Sequence, residues 1–175
     1  LGLDPLVVKG VDSDILGPVQ EPGGTARANE LNKLIKDKTI PRTPWQNIEW
    51  FTEARQSTWN ELIKPALDAG KPVVTSRSWV STVAYQGYGE GVDIDKIESF
   101  TKKHVGEEYM NPDLVLILAI TDETARKQRI KGRNMSTHKD TFESMPKSFQ
   151  SRMQDGYVRF AKKESIPIID AGQTP

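Results

Sequence analysis

An arginine stands three residues after a short apolar segment within residues 71–91. The pattern at Val73 and Val74 predicts a buried strand, and Arg77 stands where that strand would reach the surface. In open α/β sheets, ligands bind in the crevice outside the carboxyl ends of the strands. A planar guanidinium in this crevice suits a phosphate or a carboxylate. The sequence therefore predicts an anion-binding site around Arg77.

Three further groups of residues have types and spacings that suit nucleotide chemistry. Phe51 and Arg55 are four apart on a helical pattern, so the ring and the guanidinium are neighbours on the helix surface. Residues 21–25, Glu-Pro-Gly-Gly-Thr, form a strong turn signal. Residues 126–139 carry arginines, lysines and a histidine without any acidic residue. Each group also has a plainer interpretation, as core packing, a surface ion pair, a helix cap or a solvated basic face.

Alternating strands and helices must position these residues. The patterns predict strands at residues 5–9, 73–74, 114–120 and 166–169, and a loop at residues 10–20. They predict helices at residues 26–36, 46–67, 93–104 and 147–163, and one that begins near Thr121 and ends at Gly132. Seven unbroken apolar residues at 114–120 predict a strand buried on both faces. The alternation predicts an α/β fold, a three-layer doubly wound parallel sheet with helices on both faces.

Composition narrows the class of protein. The length of 175 residues predicts a single domain. The 24 basic and 24 acidic residues balance, which argues against binding nucleic acid or an acidic membrane through bulk charge. Without cysteine there is neither a disulfide framework nor a thiolate metal site. No apolar run is long enough to span a bilayer, so we expect a soluble, cytoplasmic protein.

The motifs, in their order along the chain, resemble those of the thymidylate kinase family of P-loop nucleoside monophosphate kinases. The resemblance rests on Glu-Pro-Gly-Gly-Thr at 21–25, Phe51 and Arg55 leading to Ile-Lys-Pro-Ala-Leu at 63–67, Ser-Arg to Tyr-Gln-Gly at 76–87, and Pro-Asp at 112–113. It covers nearly the whole chain. It implies transfer of the γ-phosphoryl group of ATP, with Mg²⁺, to dTMP in nucleotide biosynthesis, by a homodimer.

The resemblance also implies a dTMP site whose side chains contact the base, the sugar or the phosphate. These are Pro22 as a wall, Phe51 on the thymine face, Arg55 at a thymine carbonyl, Arg77 on the phosphate, Ser81 and Thr82 lining the nucleoside, Tyr85 against the sugar, and Gln86 beside it.

The basic segment falls where the family has a LID, here about residues 129–145. Arginines there would neutralise charge on the transferring group, because phosphoryl transfer depends mainly on positioning and electrostatics. Arg129 and Arg133 are the candidates, with Arg152 on the next helix and Arg77 completing the catalytic set. The family's Asp-Arg-x-Glu stands here as Asp-Thr-Phe-Glu at residues 140–143, so that arginine is missing.

The chain departs from the family in three respects. It contains no Gly-x-x-x-x-Gly-Lys-Ser/Thr loop, and we expect the single kinase domain of residues 1–175 to be truncated at both ends. Alternatively, residues 7–12 form a degenerate first strand. Ser76 replaces the aspartate that would help to hold Mg²⁺, and Gln20 replaces an arginine. Two alternative functions follow: a kinase for another, modified deoxynucleoside monophosphate, or a catalytically silent nucleotide-binding homologue.

Overall fold

The computed structural model describes residues 16–120, 141–142 and 144–172. The strands in these ranges are β1 (Leu16–Gln20), β2 (Val73–Ser76), β3 (Ile117–Ala119) and β4 (Ile168–Asp170). The α-helices are α1 (Ala26–Lys36), α2 (Pro44–Thr58), α3 (Lys64–Asp68), α4 (Trp79–Thr82), α5 (Ile94–Val105), α6 (Glu107–Met110) and α7 (Lys147–Lys163). Two π-helical segments are Trp59–Ile63 and Val83–Gly89. The strand predicted at residues 5–9 and the helix predicted from Thr121 lie outside the described residues.

Local capping signals fix the starts of the long helices. The Thr25 hydroxyl accepts a hydrogen bond from the Ala28 amide and begins α1 at the predicted residue. At α2, Thr43 and Gln46 form a reciprocal capping box, and proline occupies the first turn. At α5, the Asp93 side chain accepts hydrogen bonds from the Asp95 and Lys96 amides. The predictions for α1 and α7 are confirmed with their bounds, and α5 is displaced by one residue.

Helix α2 continues through the first π-helical segment into α3, as one helical rod over residues 44–68. The π turn comes just before Pro65. Proline has no amide hydrogen to donate to the carbonyl four residues earlier, and its ring clashes with that carbonyl, so the regular α-helical hydrogen bonding is interrupted here. At the end of α3, Gly70 has φ +73°. Its amide donates to Leu67 O, and the Lys71 amide donates to Ala66 O, at 2.8 and 2.9 Å. This is a Schellman ending, in which Gly70 supplies the left-handed residue.

The described strands pair in parallel as two two-stranded sheets, β1 with β2 and β3 with β4. The loop prediction for residues 10–20 was wrong at β1, because Gly17 and Pro18 do not prevent Val19 and Gln20 from pairing with β2. Residues 114–120 were predicted as a strand buried on both faces; the strand is confirmed only over β3, and the predicted burial was wrong. Strand β3 spans three residues, and Leu114 and Leu116 are 67% and 42% exposed.

The helical run that follows β2 was not predicted from the sequence. Ser78 caps α4 with its side chain, and the second π-helical segment continues the helix to Gly89. This segment packs closely on α7 through two glycines. A Cβ on Gly89 would lie 2.6 Å from Phe149, and a Cβ on Gly156 would lie 2.5 Å from the Cβ of Tyr88. The close approach of the two helices therefore depends on both glycines.

Buried aromatic and aliphatic side chains join these elements into neighbouring clusters. One cluster brings Ile117 of β3 against Val80, Val83, Ile97 and Phe160. Another surrounds Tyr85 with the aromatic side chains of α7 and the segment before it. Trp79 packs against the first cluster and also against a third one around Trp59 and Tyr109, so it connects the two. None of the described helices has the length and apolarity needed to cross a membrane.

Candidate functional site

The carboxyl ends of β1 and β2 meet at one edge of their sheet. Gln20 is paired with Ser76, and the Glu21 amide donates to Ser76 O at 3.0 Å. Glu21 and Arg77 therefore leave the sheet side by side, at the type of edge where open α/β sheets bind ligands. Pro22 follows in a cis peptide bond and is half-buried. Residues 21, 22, 76 and 77 thus meet at this edge of the sheet.

Arg77 has a backbone conformation that is uncommon for its residue type. Its φ is +71°, in the left-handed region that a side chain normally disfavours. Its guanidinium carbon lies 5.8 Å from the centroid of the Tyr85 ring, within the range of a cation–π contact. Non-glycine residues held in this region cluster at binding and catalytic sites. The backbone geometry therefore marks Arg77 independently of its charge.

Glu21 and Arg55 form a buried ion pair behind this edge. Both side chains are at most 3% exposed, and Arg55 Nε lies 3.2 Å from Glu21 Oε2. The Tyr109 hydroxyl donates to the same carboxylate oxygen at 2.6 Å. Burial raises the pKa of Glu21, against the opposing effects of the Arg55 charge and the Tyr109 hydrogen bond. Sequence reasoning found Arg55 but missed both of its buried neighbours, which come from distant parts of the chain.

Arg55 is oriented by a second set of contacts on its other side. Its Nη2 donates to Thr82 Oγ1 at 2.7 Å and to Ser78 O at 3.1 Å. Its Nη1 is buried and has no hydrogen-bond partner among the described residues. The guanidinium carbon lies 5.7 Å from the Phe51 ring centroid. The site therefore combines an aromatic face, a fixed cation and one N–H donor left for a ligand.

The second π-helical segment carries Tyr85 and Gln86, and π turns of this kind are frequent at functional sites. Gln86 is fully buried and donates from Nε2 to Glu90 Oε2 at 2.9 Å. Its Oε1 has no partner within the described part of the chain. Burial raises the pKa of Glu90. Gln86 therefore faces the protein interior, with one acceptor atom unused.

Tyr157 of α7 was not among the predicted site residues, but it contacts two of them. Its hydroxyl donates to Ser81 Oγ at 2.9 Å, and its ring centroid lies 6.4 Å from that of Tyr85. Burial, with the neighbouring Tyr85, raises the pKa of Tyr157 to about 12. Tyr157 is therefore a neutral donor near neutral pH. Tyr157 thus contacts two predicted pocket residues, Ser81 and Tyr85, which lie in the helical run after β2.

Phe142 is the other residue that the sequence did not reveal. Its ring centroid lies 6.0 Å from Phe51 and 5.2 Å from Tyr85, the latter edge-on. It also stacks against Phe149 at 6.4 Å. Phe142 thus joins the two aromatic residues predicted on separate sides of the nucleoside. The only signal available was its position within the segment that resembles a LID.

Of the predicted catalytic arginines, Arg77 and Arg152 lie within the described residues. Arg129 and Arg133 lie outside the described residues. Arg152 is exposed on α7, and its Nε and Nη2 donate to Gly89 O at 3.1 and 2.7 Å. Arg152 thus binds the carboxyl end of the segment that carries Tyr85 and Gln86. Near Ser76, the described residues contain no cluster of His, Asp or Glu suited to a resident metal ion.

The chain matches the family model described as thymidylate kinase over residues 17–175. It is 30% identical over 156 residues to the thymidylate kinase of Carboxydothermus hydrogenoformans and 33% identical over 162 residues to that of Desulfovibrio desulfuricans. Each alignment covers 89% of this chain and 74% of the relative. The crystal structure of a thymidylate kinase from Ehrlichia chaffeensis matches with a TM-score of 0.69 at 24% identity, covering 93% of this chain and 73% of that one.

These comparisons agree with the motifs and with the geometry of the site. The structural match extends over almost the whole chain and confirms the predicted α/β fold with parallel strands. The family match includes every described site residue from Glu21 to Tyr157. The chain therefore belongs to the thymidylate kinase family of ATP-dependent nucleoside monophosphate kinases.

Proposed function

We propose that this protein transfers the γ-phosphoryl group of ATP to the phosphate of dTMP. An acceptor phosphate oxygen forms the new bond to phosphorus, and the bond between the γ-phosphorus and the β–γ bridging oxygen breaks, which releases ADP and dTDP. The observation that carries the proposal is the meeting of Phe51, Arg55, Arg77 and Tyr85 at the edge formed by β1 and β2. This set combines an aromatic face, a directed N–H donor and a phosphate-binding cation.

The base and sugar would be bound by the residues around Phe51 and Tyr85. Phe51 offers a ring face for stacking, and Arg55 Nη1 offers the unused donor for a pyrimidine carbonyl. Tyr85 limits the space at the sugar and disfavours a ribose 2′-hydroxyl. The remaining predicted contacts are Pro22 as a wall, Ser81 and Thr82 along the nucleoside, and Gln86 behind Tyr85. The contacts of Thr82 with Arg55 and of Ser81 with Tyr157 support these roles.

Catalysis would come from alignment and from charge rather than from a general base. An acceptor phosphate oxygen is already anionic, so it needs no strong base to activate it. Arg77 would hold the acceptor phosphate, while Arg129, Arg133 and Arg152 would neutralise charge on the transferring group. Arginines suit this task because their planar fork binds two phosphate oxygens at once.

Mg²⁺ would reach the site as part of the MgATP co-substrate. Proteins often bind Mg²⁺ through one or two carboxylates together with substrate phosphates. The Ser76 hydroxyl at the end of β2 is a weak ligand, so most of the oxygen ligands of Mg²⁺ would come from ATP.

We further propose a cytoplasmic homodimer, on the strength of the family resemblance. Sedimentation that gives only the monomer mass at micromolar concentration would exclude the dimer.

The direct test is an ADP-release assay with the purified full-length protein, MgATP and a panel of nucleoside monophosphates. We expect ADP release to depend on dTMP and to exceed that with dUMP, dCMP or UMP. Equal release with and without an acceptor would overturn the proposal. Preference for a modified pyrimidine nucleotide would instead favour the related kinase. Calorimetry that detects dTMP binding but no ATP binding would favour a silent nucleotide-binding homologue, which Ser76 and Gln20 make a specific alternative.

A further inference from the structure

Arg42 lies between α1 and α2, and its guanidinium closes the carboxyl end of α1. Its Nη1 donates to Leu34 O and Asp37 O at 2.9 Å each, and its Nη2 donates to Ile35 O at 2.6 Å. The last carbonyls of a helix have no partners within it, and a cation there also opposes the helix dipole. The helix end and the guanidinium therefore hold each other in place.

The same guanidinium extends to a residue that is distant in the sequence. Arg42 Nη2 also donates to Thr141 Oγ1 at 3.3 Å, across 99 residues of chain. The Thr141 hydroxyl lies 3.0 Å from Ile35 O and 3.1 Å from Lys36 O, the carbonyls at the end of α1. Arg42 and Thr141 are thus fastened to the same helix end. Residue 141 has a fixed position because of this shared set of bonds.

Phe142 directly follows this anchor. Its carbonyl accepts a hydrogen bond from Gln150 Nε2 at 2.6 Å, so its backbone is held on both sides. Its side chain is 9% exposed and contacts the rings of Phe51 and Tyr85. The place of the Phe142 ring in the pocket is therefore determined by the bonds to residue 141 as well as by ring packing.

Arg42 is also connected to α2, which carries Phe51. Its Nε donates to Asn47 Oδ1 at 2.9 Å, and Asn47 lies one helical turn before Phe51. The guanidinium carbon lies 5.3 Å from the Trp50 ring centroid, in a cation–π contact. One side chain thus joins α1, α2 and residue 141. A planar group with five N–H donors is required for this set of bonds, which a lysine cannot reproduce.

We propose that Arg42 is a positioning residue for the nucleoside pocket: by binding Thr141 to the end of α1, it holds the Phe142 ring against Phe51 and Tyr85 and so sets the space that the pyrimidine enters. The inference rests on the proposed function, because it concerns the affinity for the dTMP nucleoside. Arg42 contacts none of the residues assigned to phosphate transfer. Its loss should weaken dTMP binding and leave the chemical step and ATP binding unchanged.

The first test compares steady-state kinetics of Arg42→Ala with those of the wild type. We expect the KM for dTMP to rise about tenfold, while kcat and the KM for ATP change less than about twofold. Thr141→Val, which removes only the hydroxyl, should raise the KM for dTMP in the same direction and serves if Arg42→Ala does not fold. An unchanged KM for dTMP in folded variants would overturn the inference.

Arg27→Ala is the matched control. Arg27 also joins α1 to α2, through Glu30 and Glu53, but it is exposed and contacts neither Thr141 nor Phe142. We expect its kinetic constants to match those of the wild type. A rise in the KM for dTMP equal to that of Arg42→Ala would assign the effect to helix pairing in general. That result would overturn the role proposed for Arg42.

A second measurement does not depend on the substrate. The Met145 amide donates to Phe142 O at 3.2 Å, so its hydrogen exchange reports how firmly Phe142 is held. Without any nucleotide, Arg42→Ala should exchange this amide at least about tenfold faster than the wild type or Arg27→Ala. Unchanged exchange would overturn the inference whatever the substrate is. A wild type that exchanges as expected but does not phosphorylate dTMP would overturn the proposed function instead.

Discussion

Arg77 combines a strained backbone with the charge that the proposed reaction needs. A non-glycine residue in the left-handed region costs about 1–2 kcal/mol, and the protein maintains this conformation at the end of β2. The conformation turns the guanidinium toward the Tyr85 ring. Arg77 thus lowers the stability of the fold through its backbone and is the proposed phosphate ligand through its side chain. These two properties are separable by substitution.

Replacing Arg77 by alanine and by glycine should separate strain from charge. Both variants lack the guanidinium, so both should lose dTMP phosphorylation by at least about a hundredfold. Glycine tolerates positive φ, so Arg77→Gly should have a free energy of unfolding about 1 kcal/mol higher than Arg77→Ala. Urea unfolding and the ADP-release assay measure the two effects. Equal stability of the variants would indicate an unstrained backbone, and residual wild-type turnover would refute the phosphate role.

Tyr157 should make the stability of the protein depend on pH in the alkaline range. Its pKa is raised to about 12, whereas an unfolded chain ionises tyrosine near about 10. The neutral form is therefore favoured by folding. The resulting stability is fully present below about pH 10 and is lost as the pH rises toward about 12, by up to about 2 kcal/mol.

The substitution Tyr157→Phe tests this dependence. Near neutral pH the variant should be about 1 kcal/mol less stable, because the hydrogen bond to Ser81 is lost. Between about pH 10 and 12 the difference should shrink or reverse, since phenylalanine does not ionise. Ser81→Ala keeps the phenol and should retain the alkaline loss. A stability difference that stays constant across this range would exclude the raised pKa.

The long helices α1, α2, α5 and α7 were predictable because their signals are local. Thr25, with the apolar spacing that follows, fixes α1, and Gly70 fixes the end of α3. Strand β1 was missed because Gly17 and Pro18 give the pattern of a loop, and only pairing with β2 makes it a strand. The segment after β2 has small, hydroxylated residues without a helical stripe. Its helix depends on packing against α7, which no short stretch of sequence contains.

The contact between α7 and the second π-helical segment should be sensitive to a single methyl group. Ordinarily, glycine to alanine within a helix gains about 1 kcal/mol. At Gly156 the new Cβ would lie 2.5 Å from the Cβ of Tyr88, and overpacking typically costs about 1–3 kcal/mol. Gly156→Ala should therefore lower the free energy of unfolding by about 1 kcal/mol or more. Asp155→Ala, on the exposed face next to it, should change stability by less than about 0.5 kcal/mol.

Chemical denaturation of the three proteins measures this difference. A Gly156→Ala variant more stable than the wild type would mean that α7 can move away from Tyr88 at little cost. Because Tyr88 lies between pocket residue Tyr85 and the Gly89 carbonyl that binds Arg152, such a shift should also weaken dTMP binding. The KM for dTMP in this variant therefore reports whether helix packing determines pocket geometry.

Across the whole molecule, the sequence allowed candidate pocket residues to be predicted, but not the contacts that orient them. Phe51, Arg55, Arg77 and Tyr85 were recognisable as types at a spacing. The buried partner of Arg55, Glu21, and the ring of Phe142 were not, because these contacts join residues that are distant in the sequence. Side chains that orient others leave no local periodicity. Because the predicted site residues come from distant parts of the chain, ligand binding should be coupled to the folding of most elements.

We therefore expect the protein to unfold as a single unit that dTMP stabilises. The cluster containing Ile117 and Phe160 and the one around Trp59 are connected by Trp79, so β3 and the elements around β2 share one core. dTMP at about 100 times its Kd should raise the free energy of unfolding by about 2.7 kcal/mol and the melting temperature by about 5–10 °C. Tryptophan fluorescence and circular dichroism should follow the same shifted transition. The melting temperature of Phe51→Ala should not change when dTMP is added. Two separate unfolding transitions in the wild type, with only one of them shifted by dTMP, would show that the two sheets belong to separate folding units.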